Sequence, residues 1–232
     1  MTVDATQLVM DLAIRPALGV EDFLVSASNA AALETVERWP DWPHWALVVT
    51  GPEMSGKTHL ANVWRMKSNA ALIAAADISE AVVTVLSSHR ALVVENLETG
   101  FGDERAMFHV LNLAREHAYS ILMTSRASPG ELTVELPDLR SRLRATPVAV
   151  IMTPDDHLLQ GVLIKHFADR QLVVEPHVVA YIMRHMERSM RAAHETVAEL
   201  DRRSLEAQRR VTRALAAEVL KNGQDETDAK DA

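Results

Sequence analysis

The sequence predicts an α/β fold: a five-stranded parallel sheet carrying a phosphate-binding loop, followed by a small all-helical domain. Three observations lead there. Gly51-Pro52-Glu53-Met54-Ser55-Gly56-Lys57-Thr58 fits G-x-x-x-x-G-K-[ST] at every fixed position. Short apolar runs alternate with segments of helical length as far as residue 153. After Thr153-Pro154 the runs give way to helical patterns.

The phosphate loop has the flanks it needs. Trp45-Ala46-Leu47-Val48-Val49-Thr50 before it reads as a buried strand. His59-Leu60-Ala61-Asn62-Val63-Trp64 after it has helical character. A loop between a strand and a helix N-terminus aims backbone N–H groups and a positive dipole end at one spot. Gly51, Pro52, Ser55, Gly56 and His59 are the expected cradle, with Lys57 on the β- and γ-phosphates and Thr58 on Mg²⁺.

Four further apolar runs, 71–75, 91–94, 120–124 and 147–151, lack period-2 alternation, the pattern of strands buried on both faces. Helical segments at 78–88, 104–117 and 136–144 lie between them, which implies parallel strands with crossover helices. Beyond 154, helices are expected at 155–167, 175–187 and 190–220, with a brief apolar Leu172-Val173-Val174 between the first two. The last helical stretch is expected to break near Asp201-Arg202-Arg203-Ser204, where Asp201 or Ser204 would cap a second helix. Asn222-Gly223 reads as a helix stop. The division is therefore 1–14 as an N-terminal segment, 15–153 as the α/β domain, 154–222 as the helical domain and 223–232 as a disordered acidic tail.

Composition narrows the function classes. The 232 residues contain no cysteine, so disulfides, thiol catalysis and cysteine-ligated zinc are excluded. No basic start followed by a long apolar run marks a signal peptide, and no apolar stretch approaches the roughly 20 residues a membrane span needs. A cytoplasmic protein is expected. The net charge of −8 argues against a general nucleic-acid binder, though a local basic face remains compatible with it. The ten histidines show no metal-ligand spacing.

The acidic motif of a phosphate-loop hydrolase is altered. The second strand of such a site ends in an acid that holds the metal, often followed by a second acid that activates water. Here it ends Val94-Glu95-Asn96. Glu95 stands at the metal-holding position, one methylene longer than aspartate. Asn96 stands where the base is expected, and an amide cannot take a proton near neutral pH. The site is expected to bind nucleotide and barely turn it over, unless Glu98 substitutes. Thr124-Ser125-Arg126 ends the fourth strand with polar groups near the phosphates. Leu139-Arg140-Ser141-Arg142-Leu143 lies just before the fifth strand; alone, it is equally a solvated basic helix end. Arg191, with Arg184 and Arg188 near its face, likewise reads as a basic surface or as an arginine folding onto phosphates.

Together these motifs resemble the Hda family of DnaA-related AAA+ regulators of bacterial replication initiation, over residues 7–220. Residues 51–60, with Thr58-His59-Leu60 after the lysine, are similar to the family phosphate loop. Leu136-Pro137-Asp138-Leu139-Arg140-Ser141-Arg142-Leu143 resembles its arginine-finger segment, with Arg142 in the finger position. Arg188-Ser189-Met190-Arg191 and Leu200-Asp201-Arg202-Arg203-Ser204 resemble the lid motif, with Arg191 as the nucleotide-sensing arginine. Asn96 is similar to this family rather than to DnaA, while Glu95 departs from the usual aspartate. Trp39-Pro40-Asp41-Trp42-Pro43 is similar to alphaproteobacterial members, and packing under the sheet edge accounts for it physically.

The resemblance implies bound ADP (or ATP) with Mg²⁺, the adenine lying near Gly19-Val20-Glu21-Asp22-Phe23, against Val20 and Phe23. It also implies a clamp-binding hexapeptide in Gln7-Leu8-Val9-Met10-Asp11-Leu12, with Gln7, Leu8, Met10 and Leu12 entering subsites and Met10 replacing the usual leucine. The implied partners are the DnaA initiator and the DNA polymerase III sliding clamp, with a homodimer left open and no strong sequence-specific DNA binding. The implied function is negative regulation of initiation: Arg142, supplied in trans, stimulates hydrolysis of DnaA-bound ATP. The rival readings are a self-contained ATPase, such as a helicase loader or transposition ATPase, and a sequence-specific DNA-binding regulator. Asn96 disfavours the first, and the net charge and lack of length for a DNA-binding domain disfavour the second.

Overall fold

The computed structural model describes residues 23–228, with side chains as far as 221. Five parallel strands form one sheet: β1 (Ala46–Thr50), β2 (Ala71–Ala74), β3 (Ala91–Glu95), β4 (Ser120–Ser125) and β5 (Val148–Val150). Their order is β2-β3-β4-β1-β5, so the strand carrying the phosphate loop lies inside the sheet. Helices α1 (Ala30–Glu37), α2 (Lys57–Ser68), α3 (Ala81–His89), α4 (Glu104–His117) and α5 (Pro137–Ala145) accompany the strands.

Two apolar layers cover the sheet. On one face Val48, Leu92, Val94, Ile121 and Met123 pack with Leu86 of α3, Val110 and Leu111 of α4, and Leu139 and Leu143 of α5. On the other, Leu47, Val49, Val93 and Leu122 pack with Leu33 and Val36 of α1 and with Leu60 and Trp64 of α2. This double burial is why β1, β3 and β4 read as continuous apolar runs. It does not extend to β2 and β5. Both were expected to be buried on each face, but they are sheet edges with one neighbour apiece. Leu72, Val148 and Val150 are exposed, and only Ala149 of β5 is fully buried.

The sequence patterns assign no element to α1. Asn29 opens it, with Oδ1 accepting from Ser26 N at 2.8 Å and Nδ2 donating to Leu24 O at 2.8 Å. The tryptophan segment packs as expected. Trp42 stacks on Trp64 at 5.3 Å and Trp39 meets the same ring edge-on at 6.0 Å. Trp39 Nε1 donates to Ser120 Oγ at 2.9 Å, tying the segment to the start of β4.

Four helices follow: α6 (Asp156–Asp169), α7 (Pro176–His185), α8 (Met190–Ala207) and α9 (Arg213–Asp228). They bury their own core, which includes Leu159, Leu163, Ile182, Val197, Leu200 and Ala216. Ser189 caps α8, its Oγ accepting from Ala192 N at 3.0 Å. The Leu172-Val173-Val174 run forms no strand, and Val173 is exposed.

The break between the last two helices falls at 208–212, not at 201–204. Arg202 pairs with Glu199 and Glu206 at 2.6 Å, and Arg203 with Glu199 at 2.6 Å and Glu218 at 2.9 Å. Partners three and four residues apart hold that stretch in helix. The turn comes where Gln208 enters the left-handed region at φ 50°. Helix α9 then runs through Asn222-Gly223, the expected stop, to Asp228. A glycine lowers helix propensity by about 1 kcal/mol but caps a helix only where it takes the left-handed conformation itself.

Candidate functional site: a phosphate cradle between sheet and lid

The loop leaves β1 at Gly51 and enters α2 through Gly56. Both glycines are required. A Cβ on Gly51 would lie 2.7 Å from Ile151 O and 2.9 Å from Ser55 Oγ. Gly56 has φ +97°, and a Cβ there would lie 2.9 Å from the Phe23 ring. Gly56 is the N-cap of α2, so the first free N–H groups of that helix open onto the loop. Ser55 Oγ is buried with no hydrogen-bond partner among the described residues. The cradle thus offers donors and a dipole end to an anion.

Lys57 is buried and folded back on the loop, donating to Gly51 O at 2.8 Å and Pro52 O at 2.6 Å. Burial pushes its ammonium pKa down; Glu98 opposes this, Arg126 adds to it and Glu53 opposes it. Thr58 is exposed in the first turn of α2. His59 stacks on Phe23, with ring centroids 5.2 Å apart. Phe23 therefore touches the loop, while its neighbour Leu24 packs on the core of α6–α9. This segment bridges the two parts of the fold.

The C-terminal ends of β3 and β4 supply the other wall. Glu95 Oε1 is buried and takes no hydrogen-bond partner among the described residues, an acceptor left open at the end of β3. Asn96 follows in the left-handed conformation at φ 60°, its N–H donating to Thr124 Oγ1 at 3.2 Å. Glu98, the alternative base, is engaged. Its Oε2 accepts from Arg126 N at 3.1 Å, and its Oε1 lies 3.2 Å from Arg126 Nε. Among the described residues no three His, Cys, Asp or Glu side chains converge on a metal site.

The lid reaches this wall. Arg191, in the first turn of α8, pairs with Glu195 at 2.8 Å and with Glu53 of the phosphate loop at 3.5 Å. Glu195, then Glu53, raise the pKa of its guanidinium. Glu53 also pairs with Arg126 at 3.4 Å. The structure thus brings Arg191, Arg126 and the loop together. Glu53 was missed from the sequence because it occupies a variable position of the motif. Its one signal is an acid inside an anion-binding loop.

Arg142 lies apart from this cluster, on α5. It is half-buried, its Nη2 donating to Asn112 Oδ1 of α4 at 3.4 Å. Arg140 donates to Glu135 O at 3.2 Å and Arg144 to Gly130 O at 3.4 Å. Val20 and the hexapeptide residues Gln7, Leu8, Met10 and Leu12 lie outside the described residues.

Residues 156–220 match the family model "Hda, lid domain". Over this stretch the chain is similar to the lid domain of the Hda family. Its fold is AAA+. It is similar to domain III of the Thermotoga maritima replication initiation protein DnaA, with a TM-score of 0.71 and 18% identity, covering 90% of this chain and 98% of that one. Similarity to AMPPCP-bound DnaA from Aquifex aeolicus gives a TM-score of 0.66 at 18% identity, over 83% and 68% of the two chains. An uncharacterized Haemophilus influenzae protein is 26% identical over 184 residues, 74% of this chain and 80% of the relative. No helix among the described residues is long and apolar enough to cross a membrane.

Proposed function

We propose that this chain is a negative regulator of replication initiation of the Hda type. It binds ADP in the phosphate cradle, docks on the sliding clamp through residues 7–12, and presents Arg142 to ATP held by DnaA. The observation that carries the reading is an intact cradle beside an impaired hydrolytic wall. Gly51, Gly56 and Lys57 form the loop, Asn96 replaces the base, and Arg126 engages Glu98. The nucleotide seen in the Aquifex DnaA neighbour supports an adenine nucleotide here. Phe23, stacked on His59 against the loop, supports an adenine seat shared with Val20. The open acceptor of Glu95 fits a cation or its bound water, with Thr58 and the phosphates completing a Mg²⁺ site. The domain division follows: residues 15–153 hold the nucleotide, 154–222 form the lid and 1–14 carry the clamp contact. A self-contained ATPase would need a free base, and an engaged Glu98 disfavours it.

Arginine suits a finger because its planar fork pairs two phosphate oxygens and stays charged. The test is clamp-dependent hydrolysis of DnaA-bound ATP. Arg142→Ala should retain nucleotide and clamp binding yet lose stimulation by on the order of 10² or more. Arg140→Ala should cost much less. Replacing Gln7, Leu8 and Met10 by alanine should remove clamp binding alone. Full stimulation by Arg142→Ala would place the finger elsewhere.

A further inference from the structure

Glu53 stands at the meeting point of three segments. One carboxylate oxygen lies 3.4 Å from Arg126 at the end of β4, and the other 3.5 Å from Arg191 in the lid. The two guanidinia beside the phosphate loop are therefore already shared with an acid that the loop itself carries. We propose that Glu53 sets the nucleotide selectivity of the cradle: its carboxylate competes with a terminal phosphate for Arg126 and Arg191 and so disfavours a triphosphate relative to a diphosphate. This rests on the reading of the loop as an adenine-nucleotide site.

The local charge points the same way. Three cations, Lys57, Arg126 and Arg191, are matched around the loop by three carboxylates, Glu53, Glu98 and Glu195. Lys57 responds electrostatically to Glu98, Arg126 and Glu53, so these charges act on one another. A phosphate site stabilises its ligand through net positive potential, and here the carboxylates cancel it. A triphosphate brings one more negative charge than a diphosphate and meets that cancellation most strongly. The Glu53 pairs are also exposed and at the long end of ion-pair distance, so their removal costs the fold little stability.

The remaining contacts make the role separable. Without Glu53, Arg126 keeps Glu98 at 3.2 Å and Arg191 keeps Glu195 at 2.8 Å. Both guanidinia stay in place while one face of each is released. A purely structural role for Glu53 would change affinity for both nucleotides alike. A selectivity role changes their ratio.

The experiment measures ADP and ATP dissociation constants by calorimetry for wild type, Glu53→Gln, and Glu53→Gln combined with Arg126→Ala and Arg191→Ala. Glu53→Gln should shift the ratio toward ATP by on the order of tenfold, with ADP affinity changing far less. The shift should shrink with added salt and vanish in the triple variant. An unchanged ratio, or equal tightening of both nucleotides, overturns the role of Glu53 while leaving the nucleotide site standing. Failure of wild type to bind either nucleotide overturns the site reading, and this inference with it.

Discussion

Gly56→Ala tests the cradle through a cost that the geometry sets in advance. At φ +97° an L-residue is strained, by about 1 kcal/mol or somewhat more. The new Cβ would also stand 2.9 Å from Phe23 Cε2, and that ring is buried and stacked on His59. Displacing it adds about 1–2 kcal/mol of overpacking. The sum, about 2–3 kcal/mol, lowers Tm by roughly 4–12 °C in a chain of this size. Gly100→Ala is the control. Gly100 has φ +86°, but an added Cβ meets nothing within 4 Å, so only the conformational cost applies. Thermal unfolding of both variants separates the two terms, and Phe23→Leu combined with Gly56→Ala should recover the steric part. Nucleotide binding should weaken in Gly56→Ala and stay near wild type in Gly100→Ala. If Gly56→Ala matches Gly100→Ala in both Tm and affinity, Phe23 does not rest on the loop as described.

Two pH dependences follow from the lid. Hydrogen bonds from Arg202, then Arg203, hold the Glu199 carboxyl at about 2, below its usual 4.5. Its contribution is complete above 4.5 and is lost as pH falls toward 2. Glu199→Gln should flatten thermal stability in that window; a curve parallel to wild type would refute the coupling. Burial pushes the His166 imidazole below 6.5, and the charges of His194, Arg170 and Lys165 act in the same direction against Asp169. The unfolded chain protonates first, so stability is full above 6.5 and declines as pH drops through 6.5 toward the folded value. His166→Gln should remove that part of the decline, measured as Tm against pH; an unchanged slope would refute it.

The phosphate loop was legible because backbone geometry fixes residue type there: Gly51 has no room for a Cβ, and Gly56 needs a positive φ. The inner strands were legible because burial on both faces leaves an unbroken apolar run. The exposure of β2 and β5 was not, since an edge is a property of strand order and not of local sequence. Nor was the break after α8. Asp201 and Ser204 resemble caps, yet the charges around them are satisfied along the helix. The actual turn contains neither glycine nor proline, and Gln208 takes the left-handed position.

Glu53 shows where local reading stops. The motif constrains the positions whose backbone must approach an anion and leaves the intervening ones free. What a free position does depends on what the fold brings to it, and Arg191 comes from 138 positions along the chain. An acid at such a site looks like a solvated loop residue until the lid and the end of β4 are placed beside it. The capacity of the cradle to take a phosphate is therefore written in a contiguous stretch of eight residues. The proposed preference among phosphates depends instead on how Glu53 of the loop meets Arg126, just past β4, and Arg191 of α8, which share no local pattern with it. The same separation applies to Arg142. Its place on α5 follows from the sequence, but under the proposed function its use depends on a surface meeting a second protein, so a functional assay with DnaA is what separates it from Arg140 and Arg144.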